Sequence, residues 1–315
     1  MGQGMDNRVS KRLCVVIVNY RTASLVLDCI ETLREQLDHD LDHIVVVDNN
    51  SGGEDVPTIK AGLGERGLSS LVTVVASPEN GGFSAGNNIG VRAVMADGYL
   101  LANADTLFRD DAIGELLRVT EKYPRAGILS PRLEWPDGEP QISCFRFHSP
   151  FSELINVAAT RGITRLLGGY DVPLATVADA SMPEWTSFAC VLIRREVFER
   201  IGYLDEGYFM YYEDVDFCRR AREAGYGIVN WPGSHVVHLR GQSSGMKKMQ
   251  KERKRLPAYY YHSRARYFVK FYGLAGFLAA NLCWLVGRSI SLLKEILLGR
   301  DRGVPLYQFV DIWKR

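Results

Sequence analysis

Residues 13–20 read LCVVIVNY, in which six apolar residues are followed by an asparagine and a tyrosine. An uninterrupted apolar run of this length is typical of a β-strand that is covered on both faces. Thr22 follows at the position of a helix cap, and Val26, Ile30 and Leu33 recur at the spacing of one helix face. The stretch therefore predicts a buried strand that leads directly into a helix.

The same alternation continues through the first half of the chain. Further buried strands are predicted at residues 44–47, 71–76, 99–102 and 127–130, and helices at 84–95 and 110–123. Strands that alternate with helices at this spacing favour an α/β fold, in which a mostly parallel sheet carries helices on both faces. In such sheets ligands bind beyond the carboxyl ends of the strands, so the residues at those ends are the first candidates for a site.

Composition narrows the class of protein. The 315 residues are 46% hydrophobic and 24% charged with a net charge of +1, which is typical of a globular protein rather than a disordered chain or a wholly basic nucleic-acid binder. Six cysteines lie far apart without a C-x-x-C pair, which predicts free thiols in a reduced, cytosolic compartment. Residues 1–11 are polar and lack the apolar stretch of a signal peptide, so we expect a flexible leader.

Short polar and glycine-rich residues follow four consecutive predicted strands. Asp48 could accept hydrogen bonds from a base or ribose, and Gly81 and Gly82 allow close backbone approach and positive φ. The helix after them presents unpaired N–H groups suited to a diphosphate, and Asp105 is a hard oxygen ligand for Mg²⁺ or Mn²⁺. Ordinary turn chemistry explains any one of these loops. Four of them at one sheet edge favour a nucleotide site.

Several motifs in order resemble a known family. VVIVNY (15–20), VVVDNNS (45–51), ENGGFSAGNN (79–88) and LANAD (101–105), with the stretch at 186–226 and HVVHLRGQSS (235–244), are similar to family 2 glycosyltransferases of the GT-A fold, in their bacterial rhamnosyltransferase branch. One departure is Asn103-Ala104-Asp105, where the family often has Asp-x-Asp or Asn-Pro-Asp. The resemblance implies a GT-A domain at 12–245 and donor binding by Asn19, Tyr20, Arg21, Asp48, Asn50, Gly81, Gly82, Phe83, Asn87, Asn103 and Asp105.

An acidic group, Glu213-Asp214-Val215-Asp216, follows a cluster of aromatic residues. A positioned carboxylate can remove the proton of an acceptor hydroxyl, and burial among aromatic rings would raise its pKa. The acidic first turn of a helix explains the same pattern without catalysis. The resemblance implies that Asp214 is the general base and that Glu213 orients the acceptor. By the same resemblance the acceptor-binding residues are Trp185, Thr186, Ser187 and Tyr212.

Two histidines, His235 and His238, lie on a predicted strand at a spacing that points them to opposite faces. Only one of them could therefore reach a cation. The resemblance implies that His238 joins Asp105 around Mg²⁺ or Mn²⁺, that His235 is structural, and that residues 241–244 form a loop closing over the diphosphate.

Residues 246–315 have a different character. Basic and aromatic residues are interleaved up to Tyr272, and the uncharged apolar window 274–287 ends at Arg288. This window is shorter than the ~20 residues of a spanning helix, so we expect an amphipathic helix or hairpin at a membrane interface. The alternative is a solvated basic face packed against the catalytic domain. Without a nucleic-acid motif, we expect no nucleic-acid partner.

These expectations combine into an inverting, metal-dependent glycosyltransferase on the cytoplasmic face of the membrane. The branch resemblance implies dTDP-rhamnose as donor and a glycan or lipid-linked glycan of cell-surface polysaccharide as acceptor. One alternative, a nucleotidyltransferase, would need a glycine-rich loop with a basic residue after the first strand, where residues 19–22 contain no glycine. The other is a non-catalytic nucleotide-sugar-binding assembly protein, against which Asp105, Asp214 and His238 together argue.

Overall fold

The computed structural model describes residues 10–239, 246–299 and 304–315. Residues 1–9 of the predicted leader and the predicted loop at 241–244 lie outside the described residues, and strand β1 begins at Lys11. The strands are β1 (Lys11–Asn19), β2 (Asp42–Asp48), β3 (Val72–Ala76), β4 (Ala96–Asn103), β5 (Thr106–Phe108), β6 (Ala126–Glu134), β7 (Cys144–Phe145), β8 (Trp185–Thr186), β9 (Cys190–Arg194) and β10 (Gly227–His238). The helices are α1 (Ala23–Leu33), α2 (Asp55–Glu65), α3 (Gly82–Ala93), α4 (Ala112–Lys122), α5 (Pro150–Ala158), α6 (Arg161–Leu167), α7 (Arg195–Ile201), α8 (Glu213–Glu223), α9 (Met246–Lys251), α10 (Ala258–Leu298) and α11 (Gln308–Asp311).

Eight strands form one sheet in the order β3-β2-β1-β4-β9-β6-β10-β5. β1 pairs in parallel with both β2 and β4, as the apolar run at its centre predicts, and β2 pairs in parallel with β3. β9 is inserted between β4 and β6 and is antiparallel to both. The α/β class is thus confirmed. The second half of the sheet is mixed.

Both faces of the sheet are covered. Along β1, Leu13, Val15 and Ile17 belong to one hydrophobic core, and Cys14 and Val16 belong to the other. Successive side chains of a strand point to opposite faces, so an uninterrupted apolar run supplies both cores at once. The strand therefore lies at the centre of the molecule and fixes the positions of the loops that follow its neighbours.

Helix α10 is a hairpin of two helical halves. Gly273 interrupts the helix with φ 68° and ψ −176°. The guanidinium of Arg264 donates a hydrogen bond of 2.7 Å to the side chain of Asn281, which lies 17 residues further along the chain. A straight helix of that length would separate the two by about 25 Å, because each residue rises about 1.5 Å. The halves 258–272 and 274–298 therefore fold back on each other, as the hairpin interpretation predicted.

The basic residues of this region were expected to face anionic headgroups, and several of them do not. Arg264 pairs with Glu153 and Arg266 with Asp205, while Lys270 contacts both Asp205 and Asp216. These acids belong to the main α/β domain, so the first half of the hairpin is attached to that domain by ion pairs. These three cations pack on the main domain, as the alternative interpretation predicted, but Arg264 is buried rather than solvated.

The second half of the hairpin exposes an apolar face. Leu274, Leu278, Leu282 and Val286 recur at four-residue spacing and are between 43% and 58% exposed. Arg288, which interrupts the apolar sequence, pairs with Glu295 at 2.6 Å, and both side chains are mostly covered. By length and composition, α10 is the one helix among the described residues that could cross a membrane.

Candidate active site

The carboxyl ends of β1, β2 and β4 meet at one edge of the sheet. Asn19 at the end of β1 is in register with Asp48 at the end of β2, and Val18 is in register with Asn103 of β4. The predicted donor loops therefore lie side by side, because parallel strands in register bring their ends together. This edge is where an α/β sheet binds its ligands.

Asn19 and Asp48 hold two of these loops to each other. The amide nitrogen of Asn19 donates to Oδ1 of Asp48 at 2.8 Å, and the backbone N–H of Ser51 donates to Oδ2 at 3.1 Å. The amide oxygen of Asn19 accepts from the N–H and hydroxyl of Thr22, at the start of α1. Asn19 is fully buried and Asp48 is 4% exposed. Both side chains thus fix the shape of the loops.

Three predicted donor residues lie at the accessible tips of the same loops. Tyr20 is 41% exposed, and the guanidinium of Arg21 lies 5.1 Å from the centre of its ring. Arg21 and Asn50 adopt positive φ, 59° and 56°, a conformation that is uncommon outside glycine and recurs at ligand sites. The tips of these loops therefore carry the aromatic ring of Tyr20 and the guanidinium of Arg21 at this edge of the sheet.

The glycine-rich loop before α3 contacts the protein's own backbone. Gly82 has φ 82°, and a Cβ atom at this position would overlap the carbonyl of Phe209. The backbone N–H of Phe83 donates to that carbonyl at 2.7 Å, and the N–H of Gly82 donates to Oδ1 of Asn80 at 3.0 Å. The positive φ of Gly82 is as predicted. These first two N–H groups of α3, expected to be unpaired for a diphosphate, are bonded within the protein.

Asn87 is also engaged within the protein, inside α3. Its amide nitrogen donates to the carbonyl of Phe83 at 2.9 Å, and its side chain is almost fully buried. Its neighbour Asn88 bonds the backbone of Leu204 in both directions, at 2.9 and 3.0 Å. No role could be predicted for Asn88, because a side chain that anchors a distant loop leaves no local pattern in the sequence. Together these contacts tie α3 to the segment that leads to α8.

Asp105 and His238 come together at the end of β4. β10 pairs with β5 in an antiparallel register that places His238 opposite Thr106, and the N–H of Leu239 donates to the carbonyl of Asp105 at 2.9 Å. Nε2 of His238 lies 3.5 Å from Oδ1 of Asp105. His235 points away from this pair, as the strand spacing predicts, and its Nδ1 lies 2.9 Å from a carboxylate oxygen of Glu134.

The pair Asp105–His238 fits a divalent cation that takes its remaining ligands from phosphates and water. The carboxylate is buried, and Nδ1 of His238 is a buried nitrogen to which no described residue is hydrogen-bonded. Mg²⁺ and Mn²⁺ commonly use few protein carboxylates together with substrate phosphates. Within residues 10–239, 246–299 and 304–315 no group of three His, Cys, Asp or Glu side chains forms a complete cage. A cation here would depend on its substrate.

The acid pair Glu213-Asp214 opens helix α8. Both preceding residues, Tyr211 and Tyr212, have φ 70°, and such strain persists only where the surroundings impose it. Burial raises the pKa of Asp214 to about 6, although its carboxylate is stabilised by the N–H groups of Val215 and Phe188. Burial, followed by the charge of Asp214, raises the pKa of Glu213 well above its usual range. The acid pair therefore contains a carboxylate poised to accept a proton near neutral pH.

Two backbone hydrogen bonds join Asp214 to the strand that carries Asp105. Phe188 donates its N–H to Asp214, and the carbonyl of the next residue, Ala189, accepts the N–H of Asn103 at 2.8 Å. Asn103 precedes Asp105 by two positions. The antiparallel strand β9 starts at this point and carries the connection from the sheet edge to α8. Sequence reasoning missed Phe188, since its contribution is a backbone N–H.

Comparisons with known proteins agree with this architecture. The sequence model of the family "Glycosyl transferase family 2" matches residues 14–167. The chain is 30% identical over 213 residues to the N-acetylglucosaminyl-diphospho-decaprenol L-rhamnosyltransferase of Mycobacterium tuberculosis, covering 64% of each chain. It is 30% identical over 230 residues to the low-salt glycan biosynthesis hexosyltransferase Agl10 of Haloferax volcanii, covering 72% of this chain and 66% of the relative. The chain belongs to glycosyl transferase family 2.

The fold of this family 2 member is also found in solved structures. The mannosyltransferase PcManGT of Pyrobaculum calidifontis, in complex with GDP-mannose and Mn²⁺, matches 93% of this chain and 77% of its own length with a TM-score of 0.59 at 15% identity. This likeness confirms the predicted GT-A fold. The chain spans 64% of the length of the first mycobacterial relative.

The predicted acceptor residues of the family 2 chain divide into two groups. Trp185 stacks on Phe145 with ring centres 4.1 Å apart and donates from its indole nitrogen to the carbonyl of Arg146. The centre of the Tyr212 ring lies 5.1 Å from the centre of the His148 ring. Thr186 and Ser187 are bonded into the protein, since the hydroxyl of Thr186 contacts Ser130 and the carbonyl of Ser143, which also accepts the N–H of Ser187. Trp185 and Tyr212 are therefore the two predicted acceptor residues that could contact a sugar through an aromatic ring.

Proposed function

We propose that this family 2 glycosyltransferase moves a sugar from a nucleoside-diphosphate donor to a hydroxyl of a lipid-linked glycan, with inversion at the anomeric carbon. The observation that carries the proposal is the connection of Asp214, a half-buried carboxylate with a raised pKa, to the pair Asp105–His238. A proton acceptor and a candidate cation site are the two parts that such a transfer requires.

The transfer is a single displacement. The carboxylate of Asp214 takes the proton of the acceptor hydroxyl, whose oxygen forms a bond to the anomeric carbon. The bond from that carbon to the diphosphate oxygen breaks, and its electron pair leaves with the nucleoside diphosphate. Attack from the side opposite the leaving group inverts the configuration. Asp105 and His238 would hold Mg²⁺ or Mn²⁺, which supplies positive charge beside the diphosphate when bound. Glu213 orients the acceptor.

The donor lies along the edge formed by β1, β2 and β4. Asn19 and Asp48 set the shape of the loops, and the accessible Tyr20, Arg21 and Asn50 contact the nucleotide. Gly81, Gly82, Phe83, Asn87 and Asn103 form the floor of this donor site. L-rhamnose from dTDP-rhamnose is the proposed donor sugar. The mycobacterial relative is an L-rhamnosyltransferase, which supports the sugar. The choice of dTDP as its carrier rests on the resemblance to the rhamnosyltransferase branch.

The proposed acceptor is an N-acetylglucosaminyl-diphospho-lipid of cell-surface polysaccharide synthesis, by analogy with the same relative. The enzyme would meet it at the cytoplasmic face of the membrane. Support comes from the apolar face of the hairpin, where Leu278 is 43% and Leu282 58% exposed. Because several cations of the first half are paired with acids of the main domain, apolar contact rather than charge carries this part of the proposal.

A transfer assay with the full chain tests the function. With dTDP-rhamnose, Mn²⁺ and a synthetic N-acetylglucosaminyl-diphospho-lipid, the wild type should form the disaccharide lipid and release dTDP. Asp214→Asn should lower kcat by about 10²–10⁴-fold, the usual contribution of a general base, while the Kd for dTDP stays within about twofold. Retained turnover in this variant rejects Asp214 as the base. Formation of dTTP and rhamnose 1-phosphate when pyrophosphate is added, instead of dTDP, would favour a nucleotidyltransferase.

A further inference from the structure

A cavity of about 390 Å³ lies between the main α/β domain and the C-terminal hairpin. Part of its wall comes from Trp185 and Tyr212 of the main domain, and part from Tyr260, Tyr261 and Arg264 of the hairpin. Cavities of about 300–1,000 Å³ with aromatic walls and a few polar groups are the usual size and composition of small-molecule sites. Two separate parts of the chain therefore enclose a space of ligand size.

Two residues of the cavity wall lie close in the chain to the proposed base. Tyr212 directly precedes the acid pair, and its ring lies within 6.3 Å of Tyr260 and 5.5 Å of Tyr267. Trp185 lies three positions before Phe188, whose backbone N–H holds the carboxylate of Asp214. The aromatic wall of the cavity is thus built by chain neighbours of the acid pair and of the residue that bonds Asp214.

A buried ion pair forms one polar part of the wall. Arg264 donates from Nε and Nη2 to the same oxygen of Glu153, Oε2, at 3.2 and 2.9 Å. Both residues are buried, at 3% and 7% exposure. Among the described residues no hydrogen bond reaches the other oxygen of Glu153. That oxygen is an acceptor for a ligand hydroxyl.

Two further polar groups line the cavity. Tyr261 is 1% exposed, and its hydroxyl is hydrogen-bonded to none of the described residues. A buried hydroxyl without a partner is unfavourable, so a ligand that bonds it would be stabilised. Burial lowers the pKa of His148 to about 4, so the ring is neutral at physiological pH and offers one donor and one acceptor nitrogen.

We propose that this cavity binds the sugar of the acceptor, and that Tyr261 and Glu153 select it through its hydroxyl groups. The inference rests on the proposed function. A pyranose ring matches the cavity because its C–H faces suit the rings of Trp185 and Tyr212, while its hydroxyls both donate and accept. A hydrocarbon chain would leave the hydroxyl of Tyr261 and the carboxylate of Glu153 without partners. The hairpin therefore completes the acceptor site.

The substitution Tyr261→Phe tests the inference, because it removes only a hydroxyl that bonds no described residue. The variant should fold with a Tm equal to or above that of the wild type, because it removes a buried hydroxyl without a partner. In the transfer assay with the N-acetylglucosaminyl-diphospho-lipid, we expect the acceptor KM to rise about tenfold, the effect of one lost hydrogen bond to a ligand, while the donor KM and donor hydrolysis stay unchanged. The matched control is Tyr259→Phe, two residues earlier on the same helix and outside the cavity lining, for which both KM values should equal those of the wild type.

Competition separates the sugar from the lipid. The same lipid diphosphate without its sugar should inhibit the wild type and Tyr261→Phe equally. It should bind the wild type more weakly than the complete acceptor does. An unchanged acceptor KM in Tyr261→Phe, or a loss of inhibition by the sugar-free lipid in that variant, overturns the inference while leaving the transferase activity in place. A wild type that neither transfers rhamnose nor hydrolyses the donor contradicts the proposed function itself.

Discussion

The backbone N–H of Phe83 donates a hydrogen bond of 2.7 Å to the carbonyl of Phe209, so the glycine-rich donor loop and the segment before the acid pair form one unit. This contact requires glycine at position 82, because any Cβ there would overlap the backbone of Phe209. The donor side and the acceptor side of the site are thus coupled through main-chain atoms. Side-chain substitutions at Phe83 or Phe209 would leave the coupling in place.

We expect Gly82→Ala to lower the free energy of unfolding by about 2–4 kcal/mol, since positive φ alone costs about 1–2 kcal/mol and a backbone overlap adds to it. Gly138→Ala is the matched control, with φ 90° and no atom within 4 Å of the added Cβ. It should cost only the conformational part, about 1–2 kcal/mol. Urea denaturation measures both variants. Equal losses in the two would show that the contact with Phe209 is dispensable.

As the pH is lowered, the activity should begin to fall at a higher pH than it would if the base were an aspartate of ordinary pKa. Burial raises the pKa of Asp214 to about 6, and only the ionised carboxylate can accept the acceptor proton. The kcat/KM should therefore be constant well above pH 6 and fall about tenfold per pH unit below it. A pH profile of the transfer reaction checks this. An acid limb near pH 4, or the same limb in the residual activity of Asp214→Asn, would remove Asp214 from this role.

His238 and His235 provide a matched pair for metal dependence, because they lie on the same strand and point in opposite directions. His238→Gln should raise the Mn²⁺ concentration needed for half-maximal activity by about 10–100-fold, the usual effect of weakening a metal site. His235→Gln changes only the contact with Glu134, so its Mn²⁺ requirement should match the wild type. Mn²⁺ titration, and Mn²⁺ binding in the presence of dTDP, measure both variants. Equal behaviour of the two would exclude His238 as a ligand.

Glu213→Gln should stabilise the fold more at pH 8 than at pH 5. The folded-state pKa of Glu213 is raised, so the folded protein binds a proton that the unfolded chain releases near pH 4. Each pH unit above the unfolded pKa therefore costs about 1.4 kcal/mol until the folded pKa is reached, and glutamine removes this cost. Thermal melts at both pH values test the difference. Glu223→Gln, exposed on the same helix, is the control and should show no such pH dependence.

The apolar face of the hairpin should be required for vesicle binding. The double substitution Leu278→Glu/Leu282→Glu places two charges on that face, and we expect at least tenfold weaker co-sedimentation with vesicles of phosphatidylethanolamine and phosphatidylglycerol. Leu41→Glu is the control, because Leu41 is 49% exposed in a loop of the main domain. It should bind vesicles as the wild type does. Undiminished binding of the double variant would place the membrane contact elsewhere.

Much of the donor half could be predicted from the sequence because its strands are apolar throughout. The run at residues 13–18 lies within β1, and the run at 99–102 lies within β4. Helix α2 was missed, since Pro57, Gly62 and Gly64 interrupt its eleven residues and obscure the helical spacing. Gly62 lies so close to Leu27 that an added Cβ would push against the end of that side chain. Its packing partner lies on another helix, beyond the reach of local patterns.

Candidate site residues could be proposed from the sequence, but their contacts in the fold could not be predicted. The sequence predicted that Asn19 binds the sugar donor. In the structure Asn19 is a buried residue that is hydrogen-bonded to Asp48 and Thr22. Arg264 appeared as one charge of a basic face and is buried against Glu153. Both outcomes depend on which distant segment packs beside the residue, and spacing along the chain carries no information on that. The opposite orientations of His235 and His238 were predictable because they follow from strand geometry alone.

Strand β9 lies between β4 and β6, although both of those strands precede it in the chain. During synthesis the ribosome therefore delivers the two neighbours long before the strand that joins them. Until residues 190–194 emerge, β4 and β6 each present a row of unsatisfied main-chain groups, which readily pair with another polypeptide. A translation product cut short before this point would be prone to aggregate instead of forming a smaller working enzyme. The late arrival of β9 makes chaperone protection of the nascent chain most valuable at that stage.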